Sequence, residues 1–328
     1  MKEKLSKFWN ENKFYLLALI IVWVVANYRL PYYISAPGGI IDISDRIEYE
    51  GLEEYNGSLN MLYVTQYEAT IPLYLASYVF NDWDLESIEK SQISNENYKD
   101  IDKRNKIMLD NSINSAIYVA YTEAGKEITI KDKKHLVVGT LSDIDLKIGD
   151  ELLQINDKDI TDFNMIKDVI NNQEIGDTLK FKIKRNDKEK TINVDIKDID
   201  GVKGIGVIIM TNYEYETTPK VELKFRRSES GSSGGMMMAL SIYSAISGED
   251  ILKGRNIAGT GTIDINGNVG EIDGIKYKIM GAVKNDMDVV LVPSTNYEDA
   301  KKVVEEKNYD IELVSVSTFT DAIEYLSK

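Results

Sequence analysis

A run of small residues from Ser230 to Gly235 leads directly into an apolar segment, and this junction could carry a nucleophile. The segment from Met236 to Ser247 has the length and apolarity of a buried helix, and Gly248 is a typical helix stop. A serine at such a junction lies at a helix N-terminus, where unpaired N–H groups and the helix dipole can stabilise a developing oxyanion. The same pattern also fits a serine that only caps the helix. The junction alone therefore leaves both readings open.

The composition of the chain limits the choice of a base for such a serine. The sequence contains no Cys and a single His, His135, whose position suggests a surface or loop residue rather than a ligand. Lysine is the known substitute when its amine is uncharged. Lowering the pKa of a lysine from about 10.4 to about 7 corresponds to about 4–5 kcal/mol, which requires burial or a neighbouring cation. A candidate lysine must therefore lie on a half-buried face.

A helix predicted from about Gly274 to Lys284 carries two candidates for this base. Lys276 and Lys278 flank its apolar stripe on opposite edges, so the periodicity does not choose between them. Two lysines that reach from an amphipathic helix into solvent fit the same pattern. The core side of this predicted helix is marked by Ile275, Ile279 and Ala282.

The overall composition argues against several classes of function. The chain has 328 residues, enough for two or more domains, and its net charge of −15 argues against nucleic acid as a partner. No G-x-x-x-x-G-K-[ST] loop occurs, so no ATP binding is predicted. A single imidazole and no thiol offer no His- or Cys-based metal site, and no metal or other cofactor is expected. The glycines between Gly201 and Gly206 are in the wrong order for a dinucleotide loop and predict a turn.

The N-terminal region contains the longest apolar run of the chain. Residues 14–26 are continuously apolar, and with their flanking residues they predict a transmembrane helix at 14–28. Four lysines precede this run, whereas shortly after it there is only Arg29. The positive-inside rule therefore predicts a cytoplasmic tail at 1–13, a single-pass anchor in the cell membrane and an extracellular remainder. A cleaved signal peptide is the alternative, although no convincing small-x-small cleavage site follows Ala26.

Residues 29–133 predict a linker followed by the N-terminal part of a region with a helical insertion. The start of this stretch is rich in turn residues, and residues 60–66 alternate like a strand. Two helices are predicted, at 70–80 and 98–124, the second from apolar positions at helical spacing.

Short predicted strands mark residues 134–200 as a β-rich domain with one helix, at 162–171. The segment from Leu146 to Lys158, LKIGDELLQINDK, resembles the core of a PDZ domain, in which a glycine-aspartate turn leads into a strand. PDZ domains bind extended peptides by adding a strand beside an exposed edge. The resemblance implies that this edge is residues 136–141, facing the helix, and whether it binds C-termini or internal segments stays open. The predicted peptide-binding residues are Leu136, Val137 and Val138.

Residues 201–328 alternate between predicted strands and helices, which is typical of an α/β domain. Residues 256–265 and 268–272 predict a hairpin across Asn266-Gly267. Further strands are predicted at 288–292 and 311–316, and further helices at 297–307 and 319–326. The predicted fold class is a multidomain α/β and α+β protein with an N-terminal transmembrane helix, a PDZ-like domain and a C-terminal α/β domain.

Three blocks in this last domain resemble one family, the Lon-type proteases. The block from Gly231 to Gly235, GSSGG, looks like the Gly-Pro-Ser-Ala-Gly nucleophile motif of that family. Residues 258–263, AGTGTI, resemble the strand that follows it, and residues 269–278, VGEIDGIKYK, resemble the block that bears the catalytic lysine. Together with the predicted anchor and the PDZ core, they resemble the membrane-anchored Lon-like proteases with a PDZ domain. This subgroup lacks the ATPase module of the full-length Lon enzymes.

The resemblance implies a role for each matching residue. Ser233 occupies the centre of the motif and is the implied nucleophile, in preference to Ser232, and Lys278 is the implied general base. Thr260 falls where the family places a hydroxyl near the lysine. Gly234 and Gly235 follow the serine as supporting residues, although Gly234 stands where alanine is usual in the family.

The sequence therefore predicts an ATP-independent serine endopeptidase that cleaves peptides or unfolded and membrane-associated proteins presented by the PDZ domain. The first alternative is a catalytically weak or inactive PDZ scaffold of the cell envelope. A second alternative is a Ser-Lys hydrolase or transferase acting on a cell-wall acyl group. In penicillin-binding enzymes the lysine lies three residues after the serine, where this chain has Met236. The substrate identity and the oligomeric state stay open.

Overall fold

A computed structural model describes residues 2–49, 56–94 and 96–328. Met1 of the predicted cytoplasmic tail and residues 50–55 of the predicted linker lie outside the described residues. The described helices are α1 (Lys2–Asn27), α2 (Ile71–Ser77), α3 (Tyr98–Glu123), α4 (Phe163–Asn171), α5 (Gly235–Ser247), α6 (Ile275–Lys284), α7 (Tyr297–Lys307) and α8 (Phe319–Leu326).

The strands alternate with these helices in the C-terminal part and dominate the middle of the chain. In chain order they are β1 (Arg29–Asp42), β2 (Ile47–Tyr49), β3 (Ser58–Thr70), β4 (Asp84–Ser87), β5 (Glu127–Thr140), β6 (Glu151–Ile155), β7 (Lys158–Asp159), β8 (Thr178–Arg185), β9 (Lys188–Asp195), β10 (Lys197–Ile199), β11 (Val202–Gly204), β12 (Val207–Thr218), β13 (Val221–Leu223), β14 (Asn256–Gly259), β15 (Thr262–Ile263), β16 (Val269–Gly270), β17 (Val289–Pro293) and β18 (Glu312–Val316).

The chain divides into two compact units, the smaller of which comprises residues 1–38 and 64–91. In this unit β1 pairs with β4 in antiparallel register, Tyr32 opposite Ser87. The rings of Tyr32 and Tyr74 lie 5.5 Å apart between centroids, and those of Phe80 and Trp83 lie 4.7 Å apart. Aromatic contacts therefore contribute to its packing.

Helix α1 contains residues 14–27 of the predicted transmembrane segment 14–28. None of the helices in the described ranges combines the length and the apolarity that a bilayer span requires. The continuous apolar run within α1 is residues 14–26, and residues 10–13 ahead of it in the same helix are polar. At 1.5 Å per residue, such a run covers about 20 Å of a hydrocarbon core of about 30 Å. The predicted anchor is therefore not supported among the described residues, and the localisation that depends on it stays a prediction.

The larger unit comprises residues 39–63 and 92–328 and contains a parallel sheet in the order β18–β17–β14–β3. Alternate residues of each strand face opposite sides of this sheet. On one side Ile257 and Leu291 pack in a core with α3, α5 and α8. On the other side Ala258 and Val290 pack in a core with α6 and α7. Helices cover both faces of a buried parallel sheet, as expected for an α/β domain.

The sheet differs from the sequence prediction in its central strand. Residues 256–259 pair in parallel with β3 and β17 rather than forming one long hairpin with residues 268–272. Only the short antiparallel pair β15–β16 corresponds to the predicted hairpin across Asn266-Gly267. The predicted turn at Asn266-Gly267 is therefore correct, but the predicted hairpin is too long. Residues 256–259 belong to the parallel sheet, and only β15 and β16 pair across the turn.

The β-rich domain has its own core and a second sheet in the order β12–β5–β6–β8–β9. Helix α4 covers one face of that sheet through Ile166, which lies in the same core as Val137 and Phe181. Strand β5 begins at Glu127, which pairs with Thr218 at the end of β12. The chain thus enters and leaves this domain at neighbouring positions.

Helix α3 connects the two domains of the larger unit. Its N-terminus has a capping box in which Asn97 and Asp100 satisfy each other's backbone N–H groups. Small buried residues lie along one face, and this face packs against α5. The helix also contacts β12, where the side-chain amide of Asn114 donates a 3.0 Å hydrogen bond to Asn212.

Candidate active site

The serine loop, residues 230–234, leads into α5 as the sequence predicts. Helix α5 begins at Gly235, and all three methionines after that glycine are fully buried. Gly248 ends the helix with φ of +75°, a left-handed conformation that glycine adopts at low energetic cost. Ser233 therefore lies immediately before the N-terminus of a buried helix and is itself half-buried.

The backbone of Ser233 is fixed by two hydrogen bonds to its carbonyl oxygen. The N–H of Gly261 donates one at 2.7 Å, and the hydroxyl of Thr260 donates the other at 3.0 Å. Thr260 and Gly261 directly follow β14, at the carboxyl end of a parallel strand, where α/β sheets commonly place their sites. The central sheet thus sets the position of the serine loop.

The backbone N–H groups of Ser233 and Gly234, next to the Ser233 side chain, are positioned to bind an oxyanion. The N–H groups of Gly235 and Met236 are occupied, since they donate to the carbonyls of Ser232 at 3.2 Å and Gly261 at 3.1 Å. Within the described part of the chain, the N–H groups of Ser233 and Gly234 have no acceptor. Free N–H groups at a helix N-terminus are suited to stabilise negative charge.

The glycines after Ser233 are required by close packing. A Cβ atom on Gly234 would overlap Sδ of Met61. A Cβ atom on Gly235 would lie 2.7 Å from the hydroxyl of Ser112 and 3.0 Å from the backbone nitrogen of Ile263. The Lon-type motif usually has alanine at the position of Gly234. In this chain the Met61 side chain occupies the space that the alanine methyl group would need.

Helical periodicity did not choose between Lys276 and Lys278, and in the structure Lys278 is the buried one. It lies on α6, which begins after Gly274 in a left-handed conformation with φ of +70°. Lys278 is 2% exposed, whereas Lys276 is half-buried and lies with its amine 5.3 Å from the centroid of the Tyr277 ring. Burial lowers the pKa of Lys278 to about 7, and the nearby Asp273 opposes this shift. Near pH 7 the Lys278 amine is therefore neutral in about half of the protein molecules.

The hydroxyl of Thr260 connects this lysine to the serine. Nζ of Lys278 donates a 2.9 Å hydrogen bond to Oγ1 of Thr260. The single proton of that hydroxyl is directed to the Ser233 carbonyl, so Oγ1 accepts from the lysine. A neutral amine that donates one N–H in this way keeps its lone pair for another proton. The structure thus brings Ser233, Thr260 and Lys278 to one place.

The predicted peptide-binding strand is placed differently from the sequence prediction. Leu136, Val137 and Val138 lie in β5, which pairs with β12 on one side and with β6 on the other. A strand with partners on both sides offers no free edge for strand addition. The prediction that residues 136–141 form the exposed edge is therefore wrong, because residues 207–218 occupy that position.

A groove runs beside α4, and the strand that borders it is β12. Among the described strands, β12 lies at one edge of this sheet. A cavity of about 410 Å³ lies between α4, residues 199–206 of the β10–β11 region and the start of β12. Its apolar lining includes Phe163 and Ile170 from the helix and Val207 and Ile209 from the strand. The alternating run of β-branched and aromatic residues from Val207 to Thr218 is a strand signal that could have located this edge.

His135 is buried in β5 rather than at the surface, since it is 3% exposed. Its Nδ1 lies 3.0 Å from the hydroxyl of Thr211, and burial lowers the pKa of its imidazole. It belongs to the β-rich domain and takes no part in the serine site. Among the residues that the structure describes, no group of three His, Cys, Asp or Glu side chains could hold a metal.

Comparisons with known proteins assign both domains of the larger unit. Residues 227–327 match the family model of the Lon protease (S16) C-terminal proteolytic domain, and residues 140–196 match the PDZ domain model. The Lon protease of Campylobacter jejuni is 36% identical over 96 residues, which are 29% of this chain and 12% of that protein. The Lon protease of Neorickettsia sennetsu is 31% identical over 98 residues, which are 30% of this chain and 12% of that protein.

The β-rich domain also resembles solved structures. The PDZ domain of an SdrC-like protein from Listeria monocytogenes is 23% identical, with a TM-score of 0.23, and covers 25% of this chain and 92% of that one. The chain spans only 12% of the length of the two Lon proteases, so their other regions have no counterpart in these matches. The chain therefore combines a Lon-type (S16) C-terminal proteolytic domain with a PDZ domain.

Proposed function

We propose that this chain is an ATP-independent serine endopeptidase that uses Ser233 as its nucleophile and Lys278 as its general base. The observation that carries the proposal is the hydrogen bond from the buried Lys278 amine to Thr260, whose hydroxyl in turn donates to the backbone carbonyl oxygen of Ser233. A lysine with a pKa of about 7 is partly neutral at physiological pH, as a general base must be. The match to a Lon-type proteolytic domain supports the same reaction class.

In the proposed reaction, Oγ of Ser233 attacks the scissile carbonyl carbon while the Lys278 amine takes the hydroxyl proton. The carbonyl oxygen becomes an oxyanion, which accepts hydrogen bonds from the free N–H groups of Ser233 and Gly234. The C–N bond then breaks, and the lysine passes its proton to the leaving amine. Water attacks the resulting acyl-enzyme in the same way, with Lys278 again taking and returning the proton.

The proposed substrates are peptides or unfolded proteins, which the PDZ domain binds in the groove between α4 and β12. The apolar lining of that groove favours apolar side chains, and the edge of β12 offers backbone hydrogen bonds to an added strand. This assignment replaces β5 by β12 as the strand that receives the peptide. The identity of the natural substrate is not part of the proposal.

The proposal is tested with the full chain, unfolded casein and a fluorophosphonate that reacts with activated serines. Casein should be cleaved without ATP, and mass spectrometry should locate the phosphonyl group on Ser233. Ser233→Ala and Lys278→Met should each abolish both reactions. The labelling rate should rise about tenfold per pH unit below pH 7 and level off above it, because only the neutral amine accepts the proton.

Two neighbouring residues provide matched comparisons. Lys276→Met removes a lysine from the same helix without touching Thr260, and it should leave the rate and its pH dependence intact. Ser232→Ala tests the adjacent hydroxyl, and labelling that disappears in this variant but persists in Ser233→Ala would contradict the assignment. Full labelling of Lys278→Met would remove the lysine from the mechanism. A wild-type chain that binds peptides but neither cleaves nor labels would favour the PDZ scaffold.

A further inference from the structure

Helix α3 contacts the serine loop at two points, although it lies outside both matched regions, 140–196 and 227–327. The hydroxyl of Ser112 donates a 3.0 Å hydrogen bond to the carbonyl oxygen of Ser232. The carbonyl of Asn105, two helical turns earlier, accepts a 3.0 Å hydrogen bond from the N–H of Gly231. The loop that carries Ser233 is therefore held from a helix that precedes it by about a hundred residues.

The Ser112 contact acts on the peptide bond that precedes the nucleophile. The carbonyl of Ser232 and the N–H of Ser233 belong to one planar trans peptide unit, in which the two groups point in opposite directions. Fixing the carbonyl therefore fixes the direction of the N–H. That N–H has no acceptor in the described part of the chain.

The surroundings of Ser112 limit its other possible positions. Ser112 is 2% exposed, and its hydroxyl occupies the space that a Cβ on Gly235 would need. The Ser232 carbonyl also accepts a 3.2 Å hydrogen bond from the N–H of Gly235, which closes the turn within the loop itself. Ser112 thus supplies the shorter of two hydrogen bonds to this carbonyl, and among the described residues the only one from a residue distant in the sequence.

We infer that Ser112 is a positioning residue of the peptidase site, which orients the Ser232–Ser233 peptide so that the Ser233 N–H points at the developing oxyanion. The inference rests on the proposed function, because the direction of the Ser233 N–H matters only if this N–H stabilises an oxyanion. Removal of a whole oxyanion donor typically lowers a rate by about 10²–10³-fold. Loss of orientation with the donor still present should lower it less, by about 10–100-fold.

The test measures fluorophosphonate labelling of Ser233 in the full chain, as a maximal rate and a half-saturating concentration. Ser112→Ala should lower the maximal rate about 10–100-fold and leave the half-saturating concentration unchanged. The pH midpoint should stay near 7, because Ser112 acts on a backbone N–H and not on Lys278. Ser112→Thr, which keeps the hydroxyl, should restore most of the rate.

Ser115→Ala is the matched control, because Ser115 is also a buried serine of α3, 5% exposed. It should label at the wild-type rate. If Ser112→Ala does not fold, Ser112→Cys keeps the volume with a much weaker donor and should show the same loss of rate. Wild-type rates in both Ser112 variants, an equal loss in Ser115→Ala, or a shifted pH midpoint would each overturn the inference.

Failure of the inference can be distinguished from failure of the proposed function. If the unsubstituted chain does not label at Ser233, the proposed function fails and the role of Ser112 fails with it. If the unsubstituted chain labels and the Ser112 variants label equally fast, only the role of Ser112 is overturned.

Discussion

At the scale of single residues, Lys278 combines the neutral amine that the proposed mechanism requires with a cost in stability. An amine with a pKa of 10.5 in the unfolded chain and about 7 in the folded protein binds protons more weakly after folding. At any pH between these values the unfolded chain holds more protons, so folding must displace them. The shift of about 3.5 units corresponds to about 4 kcal/mol near pH 7, a large part of the 5–15 kcal/mol typical of a folded domain.

Replacement of this lysine should therefore stabilise the protein. Lys278→Met should raise the free energy of unfolding by about 4 kcal/mol at pH 7, because methionine fills a similar space without a buried amine. The gain should shrink as the pH rises from 7 and vanish above about 10.5, where the unfolded chain also holds a neutral lysine. Urea unfolding of the two proteins at several pH values measures this difference.

Lys276→Met serves as the control for that measurement, since Lys276 lies on the same helix and is only half-buried. Its effect on stability should be small at every pH. A Lys278→Met protein that is less stable than the wild type at pH 7, or more stable by an amount independent of pH, would contradict the burial argument.

Motif resemblance named the residues of the candidate site, whereas local patterns in the sequence did not decide between neighbours. Ser233, Thr260 and Lys278 were found through motif resemblance, because no local pattern shows that residues 45 positions apart come together. Helical periodicity left Lys276 and Lys278 equivalent, since both flank the stripe of buried residues. Burial depends on α7 and the sheet packed against α6, and only the structure contains that information.

At the scale of elements, the helices were predicted well and the strand partners were not. Helices α3, α6, α7 and α8 agree with their predicted ranges to within one residue at each end, because their apolar periodicity and caps are local signals. Strand β12 was missed although its sequence alternates. Sheet order depends on contacts between distant segments, as in the pairing of β3 with β14, and no local signal encodes it.

The edge position of β12 predicts which strand of the PDZ domain receives a peptide. Ile209 of β12 and Leu136 of β5 are both half-buried and lie on neighbouring positions of paired strands. Ile209→Thr should weaken binding of a fluorescent pentapeptide ending in valine about tenfold, because apolar contact in the groove is lost. Leu136→Thr should change the affinity less than about twofold. Fluorescence anisotropy with the full chain measures both.

A larger effect of Leu136→Thr than of Ile209→Thr would restore β5 as the binding strand. The same peptide with an amidated C-terminus answers the question that the sequence left open. Equal affinity of the two peptides would indicate recognition of internal segments, and loss of affinity on amidation would indicate recognition of a free carboxylate.

At the scale of the whole molecule, the core of the proteolytic domain extends well beyond the region that matches its family. Leu59 and Met61 of β3 and Ala116 and Val119 of α3 are buried in the same core as α5. Each fully buried apolar side chain of Val, Leu, Ile, Phe or Met type contributes about 1.5–3 kcal/mol. The loss of Leu59, Met61 and Val119 alone, about 4.5–9 kcal/mol, is comparable to the stability of an ordinary domain, about 5–15 kcal/mol.

A fragment of residues 201–328, the predicted protease domain, should therefore not fold by itself. It lacks β3 and α3, so it exposes the edge of β14 and the buried face of α5. Circular dichroism should show no cooperative thermal transition. A fragment of residues 127–218 is the control, because it contains the separate core of the PDZ domain, and it should unfold cooperatively. A cooperative transition in 201–328 would contradict the shared core.

The pairing of Glu127 with Thr218 has a consequence for how such a protein is assembled. The PDZ domain begins and ends at adjacent points, so it is an insertion whose two junctions meet at one base. A tight turn of about two to five residues could replace it and still lead from α3 to β13. Domains that bind other peptides could be inserted between these two junctions without changing the path of the chain in the proteolytic domain.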